Sequence, residues 1–224
     1  MNVKALYLTL LFTSLTLISA CSGPSGESAT IPTDSSVPED PLKVTPLLIG
    51  ETIPDLTLPN HRGENTGLTA DTTSLTLLIF YRGGWCPYCS AELAEIAAIE
   101  KQIKDMGVNI VGISPDRPEY LQSTMDDNQS IGYTLLSDSQ MEISRAFGIA
   151  FRVDEDTFQR YKANGLDLEE RSGETHRQLP VPAVFLADGN GIIQFQYVDP
   201  DYTQRINKEV LLAAIEAVID EEQR

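Results

Sequence analysis

The chain has 224 residues, 42% hydrophobic and 22% charged, which suits one full-sized globular domain with about fifty residues to spare and argues against a disordered, collagen-like or polytopic membrane chain. Lys and Arg number 16 against 33 Asp and Glu, a formal charge of −17, and with no local basic patch that field disfavours nucleic acid as a partner. Three cysteines are too few for a disulfide scaffold and point to chemistry instead.

In residues 1–20 a basic start at Lys4 precedes an unbroken run of apolar, Ser and Thr residues from Ala5 to Ala20, the pattern of an export signal. A helix of that length reaches about 24 Å against a hydrocarbon core of about 30 Å, short for a span. Ile18-Ser19-Ala20-Cys21 resembles the lipobox of bacterial lipoproteins, which implies cleavage before Cys21 and lipidation of that residue; the alternative is a secreted protein cut near Ala20. By the same resemblance Ser22 implies the outer membrane. The expected location is therefore the bacterial cell envelope, lipid-anchored and facing the periplasm, with membrane contact through the anchor only. Residues 21–46 are rich in Ser, Pro and Thr with almost no large apolar side chain, and read as a flexible tether ahead of a single domain over 47–224.

Within that domain Leu75–Tyr81 and Val108–Ser114 are short continuous apolar runs, as in the buried middle of a sheet. Between them Pro87–Met106 carries Leu93, Ile96, Ile99, Ile103 and Met106 at helical steps and closes on Gly107. Strand, helix, strand in this order is a right-handed crossover unit. Weaker helices are expected over Asp116–Asn128 and Asp138–Phe147. A hairpin is expected from Ala183–Ala187 and Ile192–Tyr197, turning at Asp188-Gly189-Asn190-Gly191, and a last helix over Lys208–Asp220 capped by Asn207. Phe151–Leu179, charged in both signs, fits none of these patterns and reads as a partly exposed insert without assigned secondary structure.

With Cys21 committed to lipid, the remaining thiols are Cys86 and Cys89, a C-x-x-C at a strand-to-helix junction, which is how a thioredoxin-like redox site is built. Cys86 falls at the N-cap, where free N–H groups and the helix dipole favour a thiolate. Pro87 takes the first helical position, where no N–H is needed. The first sulfur attacks and the second closes the disulfide. A zinc site would need four ligands, and His61 and His176 stand in no ligand spacing, so neither metal nor cofactor is expected.

The stretch Phe80-Tyr81-Arg82-Gly83-Gly84-Trp85-Cys86-Pro87-Tyr88-Cys89 resembles the active-site segment of the peroxiredoxin-like branch of the alkyl hydroperoxide reductase/thiol-specific antioxidant (AhpC/TSA) family, and Pro87-Tyr88 is also the glutaredoxin spacer. Gly50–Leu56, Ser144–Ile149, Val181–Phe185 and Val198–Tyr202 resemble that family's opening, middle and end. The resemblance implies an α/β thioredoxin-like fold, a mixed sheet flanked by helices with the charged insert ahead of a cis Pro182. It also implies a hydroperoxide substrate and a thioredoxin-type reductant. Peroxiredoxins carry Pro seven and Thr or Ser three residues before the attacking cysteine, and a peroxide-binding Arg near position 182; here these are Ile79, Gly83 and Pro182. Arg82 is the nearest charged candidate to replace them, with a solvated loop arginine as the plainer reading, and Trp85 and Tyr88 are candidate neighbours of the dithiol.

Three activities remain open on residues alone. Cys86 reduces a hydroperoxide, slowly, with Cys89 resolving it; or the dithiol exchanges with protein thiols and disulfides; or the domain is a copper-handling or docking module. His176 could approach the dithiol, though a surface position is the better expectation, and the insert could serve as a lid or docking element.

Overall fold

The computed structural model describes residues 33–68 and 74–222. The signal run and Cys21 lie outside the described residues. In chain order the elements are β1 (Thr57–Pro59), β2 (Asn65–Gly67), β3 (Thr76–Phe80), α1 (Pro87–Asp105), β4 (Asn109–Ser114), α2 (Pro118–Asp127), β5 (Thr134–Ser137), α3 (Glu142–Ala146), β6 (Ala150–Arg152), α4 (Glu155–Ala163), α5 (Leu168–Ser172), β7 (Gln178–Pro180), β8 (Ala183–Ala187), β9 (Ile193–Val198) and α6 (Lys208–Glu222). Five strands form the central sheet in the order β5-β4-β3-β8-β9; β3, β4 and β5 run parallel, and β8 and β9 are antiparallel additions.

Both faces of β3 are covered, which is why its sequence is continuously apolar rather than alternating. Leu77 and Ile79 point to the face packed by α1 and α6, whereas Leu78 and Phe80 point to the other, where Phe80 meets Phe147 and Phe185 at 4.8 and 5.8 Å between ring centroids. The last helix has the expected cap: Asn207 Oδ1 accepts from the N–H groups of Glu209 and Val210 at 2.9 and 3.2 Å. Among the described residues no helix is long and apolar enough to cross a membrane.

Three expectations are corrected. The insert is ordered: Asp154 caps α4 by accepting from the Thr157 N–H at 2.8 Å, Asp167 caps α5, and Phe158, Leu168, Leu179 and Val153 make a small core of their own. Its mixed charges pair with one another, as in Arg177 with Glu169 at 2.6 Å and Lys162 with Asp167 at 2.8 Å, which accounts for a sequence pattern that hides two short helices. Pro182 is not cis, since no described peptide bond is. The chain passes extended from β7 into β8, with the Val181 N–H donating to the Ile149 carbonyl at 2.8 Å and the Pro182 carbonyl accepting from the Asp199 N–H at 3.2 Å. A trans linkage, cheaper by about 0.5–1 kcal/mol, makes that run without a reversal.

The third correction concerns the second part of the presumed tether, which is docked on the domain. The Arg152 N–H donates to the Pro38 carbonyl at 2.8 Å, the Thr45 N–H to the Gly148 carbonyl at 3.0 Å, and the Arg152 guanidinium holds Asp34 at 2.9 Å. Gly148 permits this: its φ is +67°, and a Cβ there would stand 2.0 Å from the Thr45 carbonyl oxygen.

Candidate active site

The loop from β3 to α1 presents the dithiol. The buried Tyr81 continues the strand by donating its N–H to the Ile113 carbonyl at 3.0 Å, and the chain then turns through Gly83 at φ +143°. A side chain at Gly83 would meet Trp85 Nε1 at 2.3 Å and Asp116 Oδ2 at 2.9 Å, and one at Gly84 would meet Thr124 Oγ1 at 2.0 Å. Thus the position where the family resemblance calls for Thr or Ser has no room for either. The Cys86 N–H donates to the Gly83 carbonyl at 3.1 Å, its carbonyl accepts the first helical bond from Ser90 at 3.0 Å, and Pro87 follows at the first helical position.

Both sulfurs are buried and unbridged, Cys86 1% and Cys89 0% exposed. The Cys89 thiol hydrogen-bonds the Cys86 sulfur, and this bond, reinforced by the charges of Arg82 and Arg205 and opposed by burial, lowers the Cys86 thiol to about 6. The same bond, with burial, pushes the Cys89 thiol far up. The pair is thus a thiolate at Cys86 and a held proton at Cys89.

Arg82 is not a solvated loop residue. It is 4% exposed, donates from Nη2 to the Tyr161 hydroxyl at 2.6 Å, and places its guanidinium carbon 4.3 Å from the Tyr202 ring centroid and 5.0 Å from that of Trp85. Among the described residues no carboxylate pairs with it and its Nε has no hydrogen-bond partner. It lines, with Phe151, Tyr161, Pro182, Pro200 and Tyr202, a cavity of about 340 Å³. Trp85 is half-buried, 6.0 Å from Tyr161, while Pro87 and Tyr88 are exposed and Tyr88 meets Tyr202 edge-on at 5.9 Å. Tyr202 lies within a segment that sequence had matched without assigning it a role.

His176 does not join the site. Its Nδ1 accepts from the Gln178 N–H at 2.9 Å, which leaves Nε2 as the donor to the Ser139 carbonyl at 2.7 Å. Four charged residues that sequence did not single out do join it. Arg205 donates from Nε to Glu92 Oε2 at 2.6 Å and from Nη2 to Cys89 Sγ at 3.2 Å. Asp116, buried, accepts from the Gly84 N–H at 2.9 Å and from Arg171 Nε at 2.9 Å and Nη2 at 2.5 Å, tying the active-site loop to α5. The one sequence signal was Glu92 three residues after Cys89, on the same helix face.

The AhpC/TSA family model matches residues 49–196. Peroxiredoxin Bcp of Escherichia coli K12 is 31% identical over 106 residues, 47% of this chain and 67% of its own length. The 1-Cys peroxiredoxin of Medicago truncatula is 25% identical over 171 residues, 74% of this chain and 70% of its own. Among solved structures, peroxiredoxin 6 of Arenicola marina superposes with a TM-score of 0.64 at 19% identity, covering 80% of this chain and 76% of that one. Peroxidoxin BcpB of Mycobacterium tuberculosis gives 0.58 at 20%, covering 75% and 96%. At these identities the superpositions speak for the fold, which is that of peroxiredoxins, a thioredoxin-like mixed sheet flanked by helices.

Proposed function

Because the chain belongs to the AhpC/TSA family, we propose that it is a thiol-dependent peroxidase in which Cys86 reduces a hydroperoxide and Cys89 resolves the product, with a thioredoxin-type donor restoring the dithiol. The Cys86 thiolate attacks the peroxide's terminal oxygen, the O–O bond breaks, and the alkoxide leaves as alcohol after taking a proton; Cys86 is oxidised to the sulfenic acid. The Cys89 sulfur then attacks the Cys86 sulfur, forming the disulfide and releasing water. The observation that carries this reading is the placement of two buried, unbridged thiols at the start of α1, Cys86 at the N-cap and Cys89 within the first turn behind it, with the Cys86 thiol lowered to about 6. The relatives favour neither disulfide exchange nor copper handling as the main activity.

The thiolate alone gives little rate. Lowering a thiol toward 6 enriches the thiolate at pH 7, but a Brønsted slope of about 0.45 returns most of that gain. Transition-state donors are needed, and with Ile79, Gly83 and Pro182 in the family's donor positions, the buried Arg82 guanidinium is the charged group of the loop that can supply them. Stopped-flow fluorescence of Trp85, the sole tryptophan, tests this. Reduced protein mixed with hydrogen peroxide should show a peroxide-dependent phase faster than that of free cysteine, abolished in Cys86→Ser. A rate equal to that of free cysteine refutes the peroxidase.

The same reading includes anchorage. Cys21 is taken to carry lipid and to hold the domain at a bacterial envelope membrane, supported by Ile18-Ser19-Ala20-Cys21 behind an export-signal run. Palmitate labelling of the full chain, lost in Cys21→Ala, is the expected result; equal labelling of both refutes it.

A further inference from the structure

The arrangement that favours the first step opposes the second. In the reduced protein the Cys89 thiol donates to the Cys86 thiolate and is buried, so it holds its proton tightly. Once Cys86 carries oxygen, its sulfur no longer bears the charge that accepted that proton, and Cys89 must shed it to become a nucleophile. The group at hand is on the other side of Cys89. Glu92, three residues on and 6% exposed, shares one guanidinium with the sulfur: Arg205 Nε binds Glu92 Oε2 at 2.6 Å and Arg205 Nη2 binds Cys89 Sγ at 3.2 Å. Both acceptors sit on the same Nε–Nη2 edge, which brings carboxylate and sulfur side by side. Arg205 is itself fixed by donating from Nη1 to the Tyr202 and Gln204 carbonyls at 2.8 and 2.5 Å.

We propose that Glu92 is the proton acceptor for Cys89 in the resolving step and that Arg205 is the positioning residue that holds the resulting thiolate. The inference rests on the peroxidase reading for its physiological substrate, the Cys86 sulfenic acid. The step balances: the Cys89 S–H proton passes to the Glu92 carboxylate, the thiolate displaces hydroxide from the sulfenic sulfur as the disulfide forms, and the proton held by Glu92 compensates that hydroxide, so water leaves and the carboxylate returns. Arginine keeps its proton throughout.

Burial raises the Glu92 carboxyl to about 7 against the pull of Arg205, which suits a base working at neutral pH. The groups facing it are Cys86 at the N-cap and Glu95 of its own helix, Arg205 from the loop ahead of α6, Tyr133 just before β5, and Tyr197 of β9. Of these, Arg205 opposes the rise, and Cys86 and Glu95 add to it.

Two arms test the inference on the full chain. In the first, hydrogen peroxide is mixed with reduced protein and the peroxide-independent second phase of Trp85 fluorescence is followed from pH 5 to 9. In the second, Cys86 is converted to its mixed disulfide with thionitrobenzoate, and release of that coloured thiol reports attack by Cys89 with no peroxide involved. Both rates should rise with pH through a midpoint near 7 in the unaltered protein, become at least tenfold slower at pH 7 in Glu92→Gln with that inflection gone, and recover in part in Arg205→Lys relative to Arg205→Met. Unchanged rates and pH profile in Glu92→Gln overturn the inference. Failure of the peroxide arm alone, with the mixed-disulfide arm behaving as described, overturns the peroxidase reading and leaves the proton acceptor standing.

Discussion

Replacing Cys89 by Ala removes the largest single stabiliser of the Cys86 thiolate while leaving Arg82 and Arg205 in place. A hydrogen bond to a charged group is worth about 1.5–3 kcal/mol, or ~1–2 pKa units, so the Cys86 thiol should move from about 6 to ~7–8. The effect on peroxide attack is far from proportional. For a rise to ~7.5 the thiolate fraction at pH 7 falls from ~90% to ~25%, while a Brønsted slope of ~0.45 makes the remaining thiolate ~5-fold more nucleophilic, and the two nearly cancel. At pH 5.5 they do not: the fraction falls ~25-fold against the same ~5-fold gain, leaving a ~5-fold slower reaction. The assay is the peroxide-dependent phase at both pH values, together with thiolate absorbance near 240 nm to titrate Cys86 directly. A Cys86 pKa that stays near 6 in Cys89→Ala would refute the reasoning and shift the stabilisation to the helix terminus and the two arginines.

The pH dependence of stability should be inverted over part of its range. Burial raises Asp138 to about 6 and Glu92 to about 7, so the folded state binds protons that the unfolded chain has released between about pH 4 and those values, and stability falls as pH rises through that window. Cys86, lowered to about 6, acts the other way between about 6 and 9. Urea unfolding should therefore show greater stability at pH 5 than at pH 6.5 and a recovery above pH 7 that Cys86→Ser removes; a monotonic rise from pH 5 to 8 contradicts this. Asp116→Asn leaves Arg171 without its buried carboxylate and should cost ~2–4 kcal/mol in the same assay, with a slower peroxide phase because Gly84 loses a charged acceptor; a loss under ~0.5 kcal/mol would mean that Arg171 finds water instead.

Features set by neighbours in the chain were legible in advance. The N-cap position of Cys86, Pro87 behind it, the Asn207 cap and the β8–β9 hairpin each depend on a few consecutive residues, and each is where the sequence pattern puts it. The charged frame of the site was not, because its members meet only after folding: Arg205 and Glu92 are 113 residues apart, and Arg171 and Asp116 are 55 apart. Nothing local distinguishes such residues from solvated charges, which is what most of the 33 acidic residues suggest on a chain of this composition. Arg82 was ambiguous for the same reason, since the rings that bury it come from α4 and from the loop after β9. The cis Pro182 rested on resemblance alone, and the hydrogen bonds that flank that residue are met by an extended trans chain.

The docked segment ahead of β1 meets the domain through contacts that one substitution can break. The same segment supplies Glu39 and Pro41 to the wall of the cavity beside Arg82, so it also borders the site. Gly148→Ala should release it, since the new Cβ faces the Thr45 carbonyl at 2.0 Å and a φ of +67° is costly for alanine by ~1–2 kcal/mol. Trypsin reports this at Lys43, whose side chain is already exposed and whose backbone is held between the Pro38 and Thr45 hydrogen bonds. Cleavage after Lys43 should rise at least tenfold in Gly148→Ala while the urea midpoint shows the domain still folded, because a local opening of ~1.4 kcal/mol lower free energy is a tenfold larger open population. Equal cleavage in both proteins would mean that the contacts around Pro38, Asp34 and Leu47 hold the segment without the Gly148–Thr45 hydrogen bond.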